Sequence, residues 1–143
     1  WLFDHERAAF AIEFAAELAA GTIELVGFVD GAAKAGLFAS SHFFVLPIPG
    51  DVEGQPLALL EAMAHGVVPV TTTAGGMIDI VPEGGAGLAS SEHVDPERVA
   101  HRIAVLSRDR EAYARAARGV LAYQRTALTM TRCTDEVVRT LLT

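Results

Sequence analysis

The feature that most constrains this chain is a pair of short, almost wholly apolar runs separated by one helical segment. The first run is Phe43-Phe44-Val45-Leu46-Pro47, and the second extends from Val67 to Thr72. Unbroken rather than alternating apolarity is typical of strands that are buried on both faces of a parallel sheet. The segment between the runs predicts a helix from Pro56 to His65 that Gly66 closes. Strand, helix and strand in this order predict a β-α-β unit.

The flanking segments continue the same alternation of helices and strands. Asp4 to Ala20 carries an apolar stripe and predicts a helix that Gly21 ends, and the run from Thr22 to Val29 predicts a strand. The further predicted elements are a helix at 32–40, a short strand at 87–89, a helix from Pro96 with Asp95 as its N-cap, and helices at 110–122 and 126–142. Short connections between these elements predict the α/β class, with a Rossmann-like, doubly wound parallel sheet.

Composition narrows the classes of function. The chain has 143 residues, which fits one domain with a hydrophobic core. Its net charge of −7 disfavours a nucleic-acid partner, because phosphate backbones are bound through clustered Lys and Arg. No apolar run reaches the roughly 20 residues that a transmembrane helix needs. The single cysteine, Cys133, excludes an internal disulfide and fits a reducing compartment.

The predicted helix from Pro56 to His65 carries the chemistry. Its amino end presents N–H groups without helical partners and the positive end of the helix dipole, and both attract an anion such as a diphosphate. Glu53 lies in the loop before this end, and Glu61 lies about one and a half turns into the helix. An ionised carboxylate only accepts hydrogen bonds, so sugar hydroxyls suit it as donors. The alternative is a solvent-facing Glu61 on an amphipathic helix and an ordinary loop residue at Glu53.

Several segments in a fixed order resemble a known family. They are Leu25-Val26-Gly27-Phe28-Val29, Phe44-Val45-Leu46-Pro47, the stretch from Glu53 to Gly66, Pro69-Val70, Gly75-Gly76-Met77-Ile78-Asp79-Ile80-Val81, and Gly84 to Leu88. From Thr22 to about Leu106 the chain resembles the C-terminal domain of family 4 glycosyltransferases, which have the two-domain GT-B fold. Glu53 and Glu61, with seven residues between them, match the paired-glutamate motif of that family.

The resemblance implies a retaining glycosyltransferase of the hexosyltransferase type, with this chain as the donor-binding half. By that resemblance Glu53 is the catalytic residue and hydrogen-bonds the donor sugar, while Glu61 binds the ribose hydroxyls. The backbone of Gly54-Gln55-Pro56-Leu57-Ala58 would contact the sugar and diphosphate. Pro56 stands where many relatives have Gly and removes one N–H donor from this set. No metal and no cofactor are expected, since the nucleotide sugar is itself a substrate.

The resemblance also sets expectations for the whole protein. Residues 1–143 are expected to be a partial, N-terminally truncated C-terminal domain, because the family's acceptor-binding N-terminal domain and the first strands of this domain have no counterpart here. The family's diphosphate-binding basic residues belong to those strands, and Arg7 and Lys34 are the only basic residues before Arg98. The isolated chain is therefore expected to be inactive. The expected partners are a nucleotide-sugar donor and a glycan, lipid or small-molecule acceptor, in the cytoplasm or peripherally at the inner membrane face.

Two alternatives stand beside this interpretation. A nucleotide-sugar epimerase can share the two-domain architecture, and it would be favoured by acid–base residues in the other half of the protein. A non-catalytic binding domain would keep the fold and bind no nucleotide. The presence of both Glu53 and Glu61 favours transfer over either alternative. The sequence Glu53-Gly54-Gln55-Pro56 resembles the corresponding segment of bacterial members that act in polysaccharide biosynthesis.

Overall fold

The computed structural model describes residues 4–48, 56–72, 76–81, 88–89 and 95–141. Contacts divide the chain into two compact units, residues 1–34 and 35–143. The boundary lies inside one helix, α3, which spans Gly31–Ser40. The sequence predicts a helix at 32–40, and the structure confirms it.

The first unit contains two consecutive helices, α1 (Asp4–Glu13) and α2 (Ala15–Ala19). The sequence predicts one helix here, and the division at Phe14 is slight. The N–H of Phe14 still donates to Phe10 O at 2.9 Å, and the two rings lie against each other at a tilt of 36°, with centroids 4.6 Å apart. Gly21 ends the helical segment with a φ of +71°, as the sequence predicts for a residue in the left-handed region.

The predicted strand from Thr22 to Val29 is wrong. The structure places no strand over these residues, and Val26 and Phe28 are exposed. Gly27 has a φ of +68°, which interrupts an extended backbone in the middle of the run. A β-branched run becomes a strand only when a neighbouring strand accepts and donates its ladder hydrogen bonds.

The second unit contains a parallel sheet, which confirms the predicted α/β class. Its strands are β1 (Phe43–Leu46), β2 (Val68–Thr72) and β3 (Leu88–Ala89), in the order β1-β2-β3. β1 and β2 run parallel, with Val45 opposite Val70, and β3 pairs with the end of β2. The connection from β1 to β2 contains helix α4 (Leu57–Ala64), so the predicted β-α-β unit is present.

Four helices complete the described part of the second unit. Asp95 caps α6 by accepting from Glu97 N at 3.0 Å and Arg98 N at 3.3 Å, as the sequence predicts. Asp109 caps the next helix by accepting from Ala112 N at 2.8 Å. The four helices are α5 (Met77–Ile80), α6 (Pro96–Arg108), α7 (Arg110–Ala127) and α8 (Met130–Leu141). α7 is longer than the predicted 110–122, because its apolar contacts with the core continue past that point.

The described core residues form two clusters, and α7 contributes residues to both. Phe43 belongs to one cluster and Phe44 to the other, because successive residues of β1 face opposite sides of the sheet. One cluster contains Val68, Leu106, Phe43, Ala112, Tyr113, Ala116 and Ala117. The other contains Leu59, Met63, Met77, Ile80, Val81, Val120, Phe44, Ile48, Leu60, Tyr123 and Leu128. The second cluster holds α4 in place, and α4 is the helix on which the predicted site depends.

Candidate functional site

The β-α-β unit fixes where α4 begins. The chain leaves β1 at the carboxyl edge of the sheet and returns to β2 in the parallel direction. A helix that connects two parallel strands therefore begins near the carboxyl edge and runs back along the sheet. This edge is where open α/β sheets bind their ligands. The amino end of α4 thus lies where the sequence predicts a ligand site.

Pro56 is the N-cap of α4, with a φ of −66° and a ψ of 119°. Its carbonyl accepts from Leu59 N at 3.0 Å and Leu60 N at 3.4 Å, which closes the first turn. The N–H groups of Leu57 and Ala58 lie within that first turn, and a helix offers such groups no partner of its own. The pyrrolidine ring of Pro56 supplies no side-chain acceptor for them. Both residues are exposed.

Glu61 lies one turn after Leu57 on the same face of α4. Its side chain is half-buried, at the border between the buried face of the helix and the solvent. The next turn continues to His65, whose Nδ1 lies 2.9 Å from the carbonyl oxygen of Glu61. The ring of His65 also lies against Phe38, with centroids 5.5 Å apart. His65 is therefore engaged at the end of the helix, where the sequence analysis places it.

The opposite face of α4 is fully buried. Leu59, Ala62 and Met63 have no exposed surface. After the helix, Gly66 lies near α7, where a side chain at this position would meet Ala117 O at 3.9 Å. Close packing of this kind fixes the position of a helix. The amino end of α4 and Glu61 are thus held on a rigid support.

The structure therefore brings together Pro56, Leu57, Ala58 and Glu61, four of the predicted site residues, on a single helix end. Glu53, Gly54 and Gln55 lie outside the described residues. The predicted pairing of Glu53 with Glu61 across the anion site remains a prediction.

Two residues at this edge are not anticipated by the sequence analysis. Thr71 and Thr72 end β2 and are completely buried. The hydroxyl of Thr71 donates to Leu46 O at 2.7 Å, and the hydroxyl of Thr72 donates to Ile48 O at 2.5 Å. The sequence does contain a signal that could identify them, namely two consecutive hydroxyl residues at the end of an otherwise apolar strand. Buried hydroxyls need hydrogen-bond partners, so such a pair indicates contacts with a neighbouring segment.

Within the β-α-β unit, positive charge comes from the backbone rather than from lysine or arginine side chains. No Lys or Arg occurs between Lys34 and Arg98 in the sequence. The dipole of α4 and the N–H groups of Leu57 and Ala58 are therefore the groups of the β-α-β unit that attract an anion. His65 sits at the opposite end of the helix.

Among the described residues, two cavities lie away from the amino end of α4. One, of about 680 Å³, lies at the amino end of β1 and is lined by His42, Phe43, Ile103, Leu106, Ser107, Arg110, Tyr113 and Ala114. There the Tyr113 hydroxyl donates to His42 O at 3.3 Å, and burial raises the pKa of Tyr113. The other, of about 670 Å³, lies in the first unit beside the segment from Glu24 to Val29. Neither includes a predicted site residue.

Metal-binding clusters and membrane-spanning helices are both absent from the described residues. Within the ranges given above, no three His, Cys, Asp or Glu side chains come together as a metal-binding group. None of the helices in the described part of the chain is long and apolar enough to cross a membrane.

A parallel α/β sheet with a helix that begins at its carboxyl edge defines a class of ligand-binding domain. Similarity to known proteins identifies the family within this class. The family described as group 1 glycosyl transferases matches residues 5–109, which is most of the chain. The chain therefore belongs to the group 1 glycosyl transferases.

The chain is also similar to one curated protein of Salmonella typhimurium (strain LT2), named "Putative colanic acid biosynthesis glycosyltransferase WcaL". The two are 36% identical over 90 residues, which cover 60% of this chain and 22% of that protein. The chain thus matches about a fifth of the length of this relative.

Proposed function

We propose that this chain binds the nucleotide-sugar donor of a retaining glycosyltransferase, as part of that enzyme's C-terminal domain. The observation that carries the proposal is the amino end of α4. The helix begins at the carboxyl edge of a parallel sheet, and its first N–H groups belong to exposed residues. The carboxylate of Glu61 lies one turn further along the helix. The family of the chain supplies the reaction class, which is glycosyl transfer.

The donor has the chemistry that this helix end recognises. A diphosphate accepts hydrogen bonds, and the N–H groups of Leu57 and Ala58 donate them along the direction of the helix dipole. Glu61 lies about 6 Å further along the axis, at 1.5 Å per residue. That spacing suits a carboxylate that accepts from the ribose hydroxyls while the diphosphate occupies the helix end. Glu53 is then assigned to the donor sugar, at the other end of the diphosphate.

This arrangement favours departure of the nucleoside diphosphate. In the transfer, the bond from the anomeric carbon to the diphosphate oxygen breaks, and a bond from that carbon to an acceptor hydroxyl forms. Negative charge grows on the departing diphosphate as the bond breaks. Fixed N–H groups and a helix dipole aimed at that charge stabilise the transition state more than the ground state. The acceptor hydroxyl gives its proton to the departing diphosphate in the same reaction, and the glycosyl group keeps its anomeric configuration.

The finer assignments belong to the same proposal. The donor sugar is a hexose, and the acceptor is bound by another part of the protein. The name of the relative from Salmonella places that protein in colanic acid biosynthesis. A polysaccharide precursor, assembled on the cytoplasmic side of the membrane, is accordingly the acceptor class proposed here.

The ribose assignment is tested by replacing Glu61 with an isosteric neutral residue. Titration of the full-length protein with UDP and with GDP by calorimetry will show which nucleotide binds. Glu61→Gln is expected to weaken binding of that nucleotide by about tenfold or more, which corresponds to about 1.4 kcal/mol. Glu97→Gln is the matched control, because Glu97 is an exposed glutamate in the first turn of a different helix. Equal affinity in wild type and Glu61→Gln contradicts the assignment.

Retention of configuration has its own test. The full-length protein is incubated with an α-linked nucleotide sugar, and proton NMR identifies the anomer that forms first, with water as the acceptor if no other acceptor is known. The α-anomer is expected. A β-anomer as the first product would show inversion and exclude the retaining mechanism.

A further inference from the structure

The end of β2 holds the chain at the point where it leaves β1. Thr71 and Thr72 are consecutive, so their side chains extend toward opposite faces of the sheet. Each hydroxyl reaches a backbone carbonyl of the departing chain, Leu46 O at 2.7 Å and Ile48 O at 2.5 Å. The chain is thus held by side chains from both faces of β2 as it turns toward α4.

The segment that the threonines hold is a tight turn. The N–H of Ile48 donates to Leu46 O at 3.1 Å, which closes a three-residue turn around Pro47. Leu46 and Thr71 are opposite each other in the parallel register, so the Thr71 hydroxyl meets the carbonyl at the start of the turn. Ile48, at the end of the turn, packs against the core cluster that contains Leu59 of α4.

β2 does not need the two threonine hydroxyls in order to form a buried strand. β2 is otherwise apolar, and all of its residues are buried. Valine has nearly the same shape as threonine and suits a buried strand, whereas a buried hydroxyl costs free energy unless it finds a partner. Both threonine hydroxyls donate hydrogen bonds to backbone carbonyls of the segment that leads to α4. Thr71 also contacts the Met77 sulfur, 2.9 Å away at the start of α5.

We propose that Thr71 and Thr72 are positioning residues for the nucleotide-sugar donor. Their hydroxyls hold the carbonyls of Leu46 and Ile48 and thereby fix the point at which the chain leaves β1 before it reaches α4. Neither side chain touches the donor, since both are completely buried. This inference rests on the proposed function, because the position at which the chain leaves β1 matters to a donor only if the donor binds at α4.

The test compares Thr72→Val with Thr72→Ser in the full-length protein. The valine variant keeps the shape and removes the hydroxyl, and the serine variant restores the hydroxyl. Val68→Thr is the control, because it makes the reverse isosteric change at the amino end of the same strand, where the residue is also completely buried. Thr71→Val serves as a second variant if Thr72→Val does not fold.

Two measurements separate positioning from general destabilisation. The first is hydrogen exchange of the ligand-free protein, followed on a peptide covering residues 47–58 and on peptides from α6 and α7. Thr72→Val is expected to speed exchange in the first peptide alone, by about tenfold, while Thr72→Ser and Val68→Thr leave it near the wild-type rate. The second is calorimetric titration with UDP or GDP, in which the valine variant alone is expected to bind about tenfold more weakly.

The outcomes distinguish the two proposals. Unchanged exchange at residues 47–58 in both valine variants overturns the positioning role. Faster exchange with unchanged nucleotide affinity overturns it as well, because the threonine hydrogen bonds are then irrelevant to donor binding. If the wild-type protein binds neither nucleotide, the proposed function fails, and the exchange data show separately whether the threonines hold the turn. Equal weakening of nucleotide binding in Val68→Thr assigns the effect to overall stability and also overturns the inference.

Discussion

Gly66 lies in the connection between α4 and β2, and its backbone conformation favours glycine. Its φ is +75°, in the left-handed region that costs an L-residue roughly 1 kcal/mol. A Cβ would meet Ala117 O at 3.9 Å and Leu121 Cβ at 4.0 Å, which are ordinary contacts. We therefore expect Gly66→Ala to lower the free energy of unfolding by about 1 kcal/mol through the backbone alone. Urea denaturation followed by circular dichroism measures this change.

Gly36 provides the matched control for that substitution. It lies inside α3, its φ is not positive, and a Cβ there would meet nothing within 4 Å. Alanine stabilises a helix interior more than glycine does, so Gly36→Ala is expected to raise the free energy of unfolding by about 0.5–1 kcal/mol. Effects of the same sign for the two substitutions would contradict the conformational argument at Gly66.

At the residue scale, local chemistry could be predicted from the sequence and long-range pairing could not. Glu61 stands out because it is the one ionisable residue from Leu57 to Ala64, and the structure places it on the helix predicted for it. The threonine bonds link residues that are 24 and 25 positions apart. Finding them requires the register of β1 against β2, and no local pattern specifies that register.

Asp95 shows how one residue determines the start of an element. Its carboxylate accepts from Glu97 N and Arg98 N at the beginning of α6. Removing such a cap typically costs about 1 kcal/mol, so Asp95→Ala is expected to lower the free energy of unfolding by that amount. Asp95→Asn should lose much less, because asparagine caps helices about as well. Urea denaturation of both variants tests this, and equal losses would mean that charge rather than capping matters at this position.

The elements differ in how well local sequence specifies them. α6 has an Asp cap, a Pro at its first position and a buried stripe, and its predicted start is the observed one. The β-α-β unit is predictable because two apolar runs enclose a helix that glycine ends. Thr22 to Val29 has an equally β-prone composition and forms no strand. Composition describes the side chains of a strand, whereas its existence depends on a neighbour that the run itself does not encode.

At the scale of the whole molecule, burial is uneven along the chain. All of the buried hydrophobic residues in the described part lie between Leu59 and Val120, within the second unit. α1 and α2 contain no buried residue. The described side chains of α8 are likewise exposed, although α8 belongs to the second unit. Stability against local opening should therefore follow burial rather than membership of a unit.

Hydrogen exchange of the whole protein measures this distribution directly. Amides in β2 open only with the core, so peptides covering residues 67–72 should exchange most slowly. Peptides covering 4–20 and 130–141 should exchange about a hundredfold faster or more, since a difference of about 2.7 kcal/mol in opening free energy gives that ratio. The two fast segments lie in different units, so each is a control for the other. Slow exchange at 130–141 with fast exchange at 4–20 would mean that the unit, and not the burial of its side chains, determines protection.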